Sequence, residues 1–491
     1  MAFWPQAYEK NASRWVSTPA NLLNAFEVFT DLPWDQIDKV LEYLGLKDVE
    51  DFIKHIIASR SGYTRAFHIP PDFDDTFVNL GLGALLTDLG PELPEALSRW
   101  RHHNTNLTSV LDALKSYAYR PFSQDKNVNT IDPRTYYYIR HFLDYAKNQS
   151  LDVALVPTWV QNIAEAREYY YRDVVMPFQV NNVDVTVAAN AVYGITASVL
   201  SGLLPTSVLQ DPDIRQIYHN TTSLIAFMVE KALFGRPDLA LTYYPSVFEF
   251  YWFVARTYHR METALRSQPL PEVMQDLYPR LRSVLEGPMT QHVVTTGTPE
   301  GQDMLYYDDF LGDADLDNNN NTVKKAEDRL YTTTMAANAL LTTWTLFNST
   351  SRTGHWKDKV KTTVDKCVRW LSRYILRVTY KPWNAFFSGS AKGSTTSPSS
   401  YPGNRLELMN GTDIPITEHR PKNEFMYGME GYVPEAEYEV MINQTHFGRT
   451  TPTKFVTYND PERFFPFWSS PAYTYATTML VLGRYDNIVE E

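Results

Sequence analysis

Disulfides are the first feature that the sequence lacks, because its 491 residues include a single cysteine, Cys367. One cysteine excludes an internal disulfide framework and a Cys-rich metal site. The sequence also has no run of about 18 apolar residues, which a transmembrane helix would require. Its net charge is −12, which argues against nucleic acid or an anionic membrane surface as the main partner.

Aromatic residues are abundant, since 11 Trp, 32 Tyr and 25 Phe make up 14% of the chain. Hydrophobic residues make up 44%, so the chain can bury a large core and is not disordered throughout. Aromatic side chains mostly fill cores, but they also line cavities that hold a sugar, a lipid or a cationic intermediate. We therefore expect a small-molecule or glycan ligand in an aromatic cavity.

Helical periodicity dominates the chain, in two kinds of segment that alternate. One kind is amphipathic and charged, as at 34–57 and 210–235, and the other is apolar nearly all round, as in DVTVAANAVYGITASVL. A helix that is apolar on every side must be surrounded, whereas a one-sided helix lies outside. Six outer–inner pairs predict an all-α fold, a single (α/α)6 toroid over residues 1–491. Its inner helices are predicted to begin near Asp74, Pro133, Asp184, Tyr243, Leu330 and Pro471.

Two long connections, 287–330 and 380–470, each precede a predicted inner helix. Long insertions on one face commonly carry function. We expect both of them on the face where the inner helices begin, around the mouth of a central cavity. The helix dipoles at that face favour anionic groups.

The string Asp72-Phe73-Asp74-Asp75-Thr76 stands at the start of the first predicted inner helix. It resembles the D-x-D-D motif of class II terpene cyclases, in the terpenoid cyclase and protein prenyltransferase toroid superfamily. The resemblance implies that Asp74 is a general acid that protonates an alkene or epoxide, with Asp72 and Asp75 beside it. Neighbouring carboxylates suit that role because like charges raise one pKa. As an alternative, Asp74 and Asp75 are N-caps of a helix.

Two further carboxylates are candidate catalytic groups, Asp184 and Glu249. Glu249 lies in the strongly apolar segment YYPSVFEFYWFVART, and a buried carboxylate has to be paired or protonated. A pair of carboxylates at the mouth of such a ring would also suit a glycosidase. The candidate substrate contacts of the same segment are Tyr243, Tyr244, Trp252 and Arg256.

Eight N-x-[ST] sequons, against about four expected by chance, indicate a secreted or secretory-pathway glycoprotein. The first residues, MAFWPQAYEKNASRW, lack the features of a signal peptide, so a cytoplasmic protein is the alternative. Besides an isoprenoid cyclase, the sequence therefore allows a secreted glycoside hydrolase or polysaccharide lyase, or a non-catalytic glycoprotein that uses the toroid for binding or assembly. The sequons begin at Asn11, Asn106, Asn148, Asn220, Asn320, Asn348, Asn410 and Asn443.

The acidic stretch DADLDNNNNT is the one candidate metal site of the sequence. Asp313, Asp315 and Asp317 alternate along it and could offer oxygen ligands to Ca²⁺. The stretch lacks the glycine and glutamate of an EF-hand, so we expect weak Ca²⁺ binding or a solvated acidic loop. None of the expected activities requires another cofactor.

Overall fold

A computed structural model describes most of the chain from residue 70 onward and short segments before it. The described residues are 6–9, 14–17, 34–44, 70–170, 176, 179–308, 315–316, 328–348, 353–357, 360–382, 384, 386–388, 401–415, 425–443, 455–456, 467–468 and 470–489.

These residues are mostly helical, and the α-helices are numbered in chain order. They are α1 Trp34–Tyr43, α2 Phe73–Asp88, α3 Pro94–His103, α4 Ser109–Tyr117, α5 Lys126–Asn129, α6 Pro133–Asn148, α7 Ile163–Tyr170, α8 Val185–Leu200, α9 Pro212–Glu230, α10 Pro237–Ala240, α11 Val247–Ala264, α12 Glu272–Val284, α13 Thr290–Thr296, α14 Arg329–Trp344, α15 Lys361–Tyr374, α16 Glu435–Ile442 and α17 Pro471–Asp486. Short 3₁₀ turns lie at Thr206–Gln210 and Ala232–Gly235, and a π turn lies at Leu285–Met289.

Small sheets join the helices, so the expectation of a purely helical fold is too simple. The largest sheet among the described residues is antiparallel, with β11 between β10 and β3. Several strands fall inside the long insertions at 287–330 and 380–470. The strands are β1 Gln6–Glu9, β2 Arg14–Ser17, β3 Thr130–Ile131, β4 Thr298–Glu300, β5 Met304–Tyr306, β6 Asp315–Leu316, β7 Thr345–Asn348, β8 Thr353–Trp356, β9 Phe387–Ser388, β10 Arg405–Leu408, β11 Phe425–Glu430, β12 Phe455–Val456 and β13 Phe467–Trp468.

Five core helices form a row in chain order, α2, α8, α11, α14 and α17, in which each helix packs against the next. Nearly every residue of α8 and α14 is buried, as their all-round apolar sequences predict. The amphipathic helices α9, α12 and α15 pack against the row from outside. Fully buried helices therefore alternate with amphipathic ones from α8 to α15, whereas α2 and α17, which were also predicted to be buried all round, are buried along one side only.

Closure of the row into a ring of six inner helices stays a prediction. The helix predicted as the second inner one, α6, packs mainly against α10, β11 and α16. The two end helices of the row, α2 and α17, each expose apolar side chains, with Leu85 at 50% and Met479 at 72%. The described contacts thus define a row of five helices.

The closest approach of α2 and α8 depends on Gly194. A Cβ atom at this position would lie 2.5 Å from the carbonyl oxygen of Phe77. We expect Gly194→Ala to lower the free energy of unfolding by about 1–3 kcal/mol, since backbone cannot move aside as a side chain can. Urea denaturation would measure the change. The matched control is Gly287→Ala, where a Cβ meets no atom within 4 Å, and equal losses in the two variants would contradict the prediction.

Several predicted positions fall outside the described residues, namely Asp313, Asp317, Asn11 and Asn320. Asp315 lies in β6, which pairs in parallel with β12. Among the described helices, none combines the length and the apolar character that a membrane crossing demands.

Candidate active site

Four of the five core helices, α2, α8, α11 and α17, begin with polar caps that bind the free amides of the first turn. Asp72 caps α2 by accepting from the amide of Asp75 at 2.6 Å. Ser246 caps α11 and Ser470 caps α17 in the same way. The sequence alternative that Asp74 and Asp75 cap the helix is therefore wrong, because Asp72 performs this role and leaves the carboxyl of Asp74 for other contacts.

Asp74 is the second residue of α2 and is only 4% exposed. Its Oδ1 accepts a hydrogen bond from Asn190 Nδ2 at 2.8 Å, and its Oδ2 accepts one from the Tyr244 hydroxyl at 2.5 Å. Burial raises the pKa of Asp74 to about 7, although these two hydrogen bonds lower it. The carboxyl therefore gains and loses its proton near neutral pH, where a general acid is most effective.

Arg256 orients the amide that contacts Asp74. Its Nη2 donates to Asn190 Oδ1 at 2.6 Å, while the nitrogen of the same amide donates to Asp74. Cation–π contacts hold the guanidinium group between aromatic rings. Its central carbon lies 4.2 Å from the ring centre of Phe253, 4.8 Å from that of Tyr193 and 5.2 Å from that of Trp252.

Glu249 is the second buried carboxyl and is 0% exposed. The Tyr473 hydroxyl donates to Glu249 Oε1 at 3.4 Å, and the Tyr473 ring packs 5.9 Å from that of Tyr331. Burial raises the pKa of Glu249 to about 8, the two tyrosines and the charge of Arg256 lower it, and the charge of Asp74 raises it. Ionisation of Glu249 and of Asp74 is therefore linked.

We call Asp74, Asn190, Tyr244, Glu249 and Arg256 the acid cluster. Its residues come from α2, α8, α11 and the turn before α11, and the tyrosines beside Glu249 come from α14 and α17. All five core helices thus contribute to one buried polar region near their N-terminal ends. Five candidate residues of the sequence analysis lie in this region, namely Asp74, Tyr244, Glu249, Trp252 and Arg256.

Asp184 and Tyr243 belong to the scaffold of the acid cluster. Asp184 caps α8 by accepting from the amides of Thr186 at 2.8 Å and Val187 at 3.2 Å. Its other oxygen accepts from the Tyr243 amide at 3.0 Å, which fixes the turn that carries Tyr244. The Tyr243 hydroxyl accepts from Trp159 Nε1 at 3.1 Å. These contacts engage both oxygens of Asp184, so we assign it a structural role.

Five residues of this region were absent from the sequence prediction, and one of them had a signal. The string AAN occurs at 188–190 and again at 336–338. Both of its asparagines are buried in core helices, and Asn338 donates to the carbonyl of Thr477 at 3.2 Å. A buried asparagine repeated in two core helices indicates a polar link between neighbouring helices. The five residues are Asn190, Tyr193, Phe253, Tyr331 and Tyr473.

Tyr258 and His259 would, together with Arg256, suit the polysaccharide lyase that the sequence allows, and the structure places these two residues in other surroundings. The Tyr258 hydroxyl donates to Glu286 at 2.8 Å and accepts from Lys357 at 3.1 Å. Burial and nearby cations lower the pKa of His259 to about 3, so it stays neutral. Of the three residues, Arg256 is the one that joins the acid cluster.

No protein-family model matches the chain, and searches of curated proteins and of solved structures give no match. The functional proposal therefore depends on the chemistry of the acid cluster.

Proposed function

We propose that the chain is an isoprenoid-cyclase-like enzyme in which Asp74 is the general acid. The observation that supports this most is the pKa of about 7 at a carboxyl buried beside aromatic side chains. Such a group retains a proton at neutral pH and can deliver it where water is excluded. The D-x-D-D-T string implies the same role for the same residue.

The reaction begins with transfer of the Asp74 proton to one carbon of an alkene, whose π electrons form the new C–H bond, or to an epoxide oxygen, after which one C–O bond breaks and leaves a hydroxyl group. The O–H electron pair stays on Asp74, which becomes a carboxylate, and the substrate becomes a carbocation. The hydrogen bond from Asn190 stabilises that carboxylate, which makes proton release easier. A second alkene of the substrate then attacks the cation and closes a ring, and the new cation loses a proton from a neighbouring carbon to form an alkene. This proton leaves to solvent, and Asp74 regains one from solvent before the next turnover.

Access to Asp74 requires movement of a neighbouring side chain, because the carboxyl is nearly inaccessible. The Tyr244 hydroxyl is bound to Oδ2, and its ring packs edge-on at 5.2 Å from that of Phe253. We propose that Tyr244 swings away when substrate binds. Its aromatic ring, with Phe253 and Trp252, would then face the cation.

A carbohydrate-active enzyme is the second candidate, and the observation that favours it is the second buried carboxyl. Asp74 and Glu249 have raised pKa values of about 7 and about 8 and influence each other. A glycosidase uses one carboxyl as acid and another as base or nucleophile. This candidate needs both carboxyls, whereas the cyclase needs only Asp74 as acid.

Activity assays on the purified full chain distinguish the two candidates. Linear polyprenyl alkenes, their epoxides and their diphosphates would be incubated with the protein, and products would be identified by gas chromatography and mass spectrometry. Neutral and acidic polysaccharides would be assayed in parallel for new reducing or unsaturated ends. Cyclic products that disappear in Asp74→Asn support the cyclase. Glycan cleavage that requires both Asp74 and Glu249 would instead support the carbohydrate-active enzyme and rule out the cyclase.

We also propose that the chain is a secreted glycoprotein, which the exposed sequons support. Asn106, Asn148, Asn410 and Asn443 are exposed, whereas Asn220 is half-buried and its Nδ2 donates to the carbonyl of Asp152 at 3.0 Å. Glycans attach to this side-chain nitrogen, and in Asn443 it also donates, to the carbonyl of Glu439 at 2.9 Å. We therefore expect the highest occupancy at Asn106, Asn148 and Asn410, less at Asn443 and little at Asn220.

Peptide mass spectrometry would measure glycan occupancy after expression through a eukaryotic secretory pathway. Unmodified asparagine at all four exposed sites would contradict the proposal of a secreted glycoprotein. Asn348 lies in β7 and is a further candidate site.

A further inference from the structure

A second group of reactive side chains lies away from the acid cluster, between α6 and the start of α16. His141, Asp144 and Glu435 each offer one ligand atom, and the three atoms lie within 4.8 Å of one another. His141 and Asp144 are three residues apart on α6, so their side chains share one face of the helix. Glu435 is the first residue of α16.

We propose that His141, Asp144 and Glu435 bind one divalent transition-metal ion, for which Zn²⁺ is the probe. One imidazole nitrogen and two carboxylate oxygens form a donor set that zinc accepts, with water completing the tetrahedron. All three side chains are half-buried, so an ion can reach them from solvent and keep a water ligand.

The two carboxyls lie close together, on different helices. One oxygen of Asp144 and one of Glu435 lie within 4.8 Å of each other and of a ring nitrogen of His141. Negative charges at such a distance repel each other, and a divalent ion between them would relieve that repulsion.

Neighbouring groups orient these ligands. The Tyr432 hydroxyl donates to Asp144 Oδ1 at 2.5 Å, which leaves Oδ2 for an ion. Hydrogen bonds of this kind hold metal ligands in place in known sites.

Arg140 is the group that opposes metal binding. Its Nε donates to both oxygens of Glu435 at 3.1 Å, and its Nη2 lies 3.7 Å from Glu439. A carboxylate oxygen has two lone pairs, so Glu435 can accept this bond and coordinate an ion. The positive charge of Arg140 nevertheless repels the ion, and we therefore expect moderate rather than tight affinity.

A metal ion bound here would link the insertion at 380–470 to helix α6. The segment before α16 is already held by Tyr136, whose hydroxyl donates to the carbonyl of Val433 at 2.9 Å and accepts from the Val433 amide at 2.7 Å. Coordination would add a link from α6 to Glu435, two residues further along. The role that fits this position is structural.

Isothermal titration calorimetry of the chelator-treated full chain with zinc chloride tests the proposal. We expect one ion per chain, with affinity reduced at least tenfold in His141→Ala and in Glu435→Gln. The control is His102→Ala, because the exposed rings of His102 and His103 lie 5.0 Å apart and could bind zinc adventitiously. The His102→Ala variant should bind zinc with the same affinity and stoichiometry as the unmodified protein.

Absence of binding in the unmodified chain would overturn the proposal, as would unchanged affinity in His141→Ala or loss of binding in His102→Ala. Circular dichroism would check that each variant is folded. If His141→Ala fails to fold, Co²⁺ absorption of the unmodified chain and of Glu435→Gln decides the question. A visible d–d band that disappears in Glu435→Gln supports the site, and a band that persists there rejects it.

Discussion

Asp74→Asn should remove catalysis and leave the chain folded. Asparagine has the shape of aspartate, its carbonyl oxygen can accept from Asn190, and its amide can donate to the Tyr244 hydroxyl. It cannot donate an acidic proton, so we expect kcat on a polyprenyl substrate to fall by about 10²–10⁴-fold. Steady-state assays would measure the rate, and circular dichroism and urea denaturation would measure the fold.

The pH dependence of the unmodified enzyme gives a second readout of the same residue. A general acid must carry its proton, and burial raises the pKa of Asp74 to about 7. We therefore expect kcat to be constant below this pKa and to fall as pH rises through it, tenfold per pH unit at higher pH. A rate that rises with pH over this interval would show that Asp74 is not the acid.

Asp72→Asn is the matched control for Asp74→Asn. Asp72 caps α2, and asparagine caps a helix about as well as aspartate. The Asp72 variant should therefore keep both activity and stability, although it removes a carboxyl two residues from Asp74. If Asp74→Asn remains active, or if Asp72→Asn is the inactive variant, the assignment of the acid is wrong.

The buried helices could be predicted from the sequence, whereas their partners could not. The segment from Asp184 is apolar on all sides, and α8 is accordingly buried along nearly its whole length. The segment from Pro133 has a similar pattern, yet α6 packs against β11 and α16 outside the core row. Periodicity reports how much of a helix is buried but carries no information on what covers it.

The small strands had no usable signal. β3 and β9 are two residues long, and β11 is buried at four consecutive positions rather than at alternate ones. A strand buried on both faces shows no period-two pattern. The sheet therefore appears inside insertions that the sequence analysis treated as loops.

The acid cluster was predictable in part. Glu249 stood out because a carboxylate in an apolar helix has to be protonated or paired, and the structure shows it buried beside hydroxyls. Tyr331 and Tyr473 lie far from Glu249 in the sequence, and only the packing of α14 and α17 brings them close. The roles of Asp72 and Asp74 could not be separated, because a shift of two residues in the helix start exchanges cap and core positions.

Glu249→Gln should make the protein more stable at alkaline pH. The ordinary pKa of a glutamate is 4.5, and burial raises that of Glu249 to about 8 in the folded chain. Between these two values the folded state binds the proton more tightly than the unfolded state, so the free energy of unfolding falls as pH rises. Above pH 8 the folded protein bears the full cost of a buried charge, on the order of 5 kcal/mol.

Glutamine removes that cost because it does not ionise, and its carbonyl oxygen can still accept from the Tyr473 hydroxyl. The variant and the unmodified protein should therefore be similarly stable near pH 5, where Glu249 is largely protonated, and should diverge toward pH 9 in favour of the variant. Urea denaturation followed by tryptophan fluorescence at pH 5, 7 and 9 would measure the difference. The control is Glu95→Gln, an exposed residue paired with Arg99, which should change stability by less than about 1 kcal/mol at every pH. Parallel curves for Glu249→Gln and the unmodified protein would show that Glu249 titrates near its ordinary pKa and that its burial costs nothing.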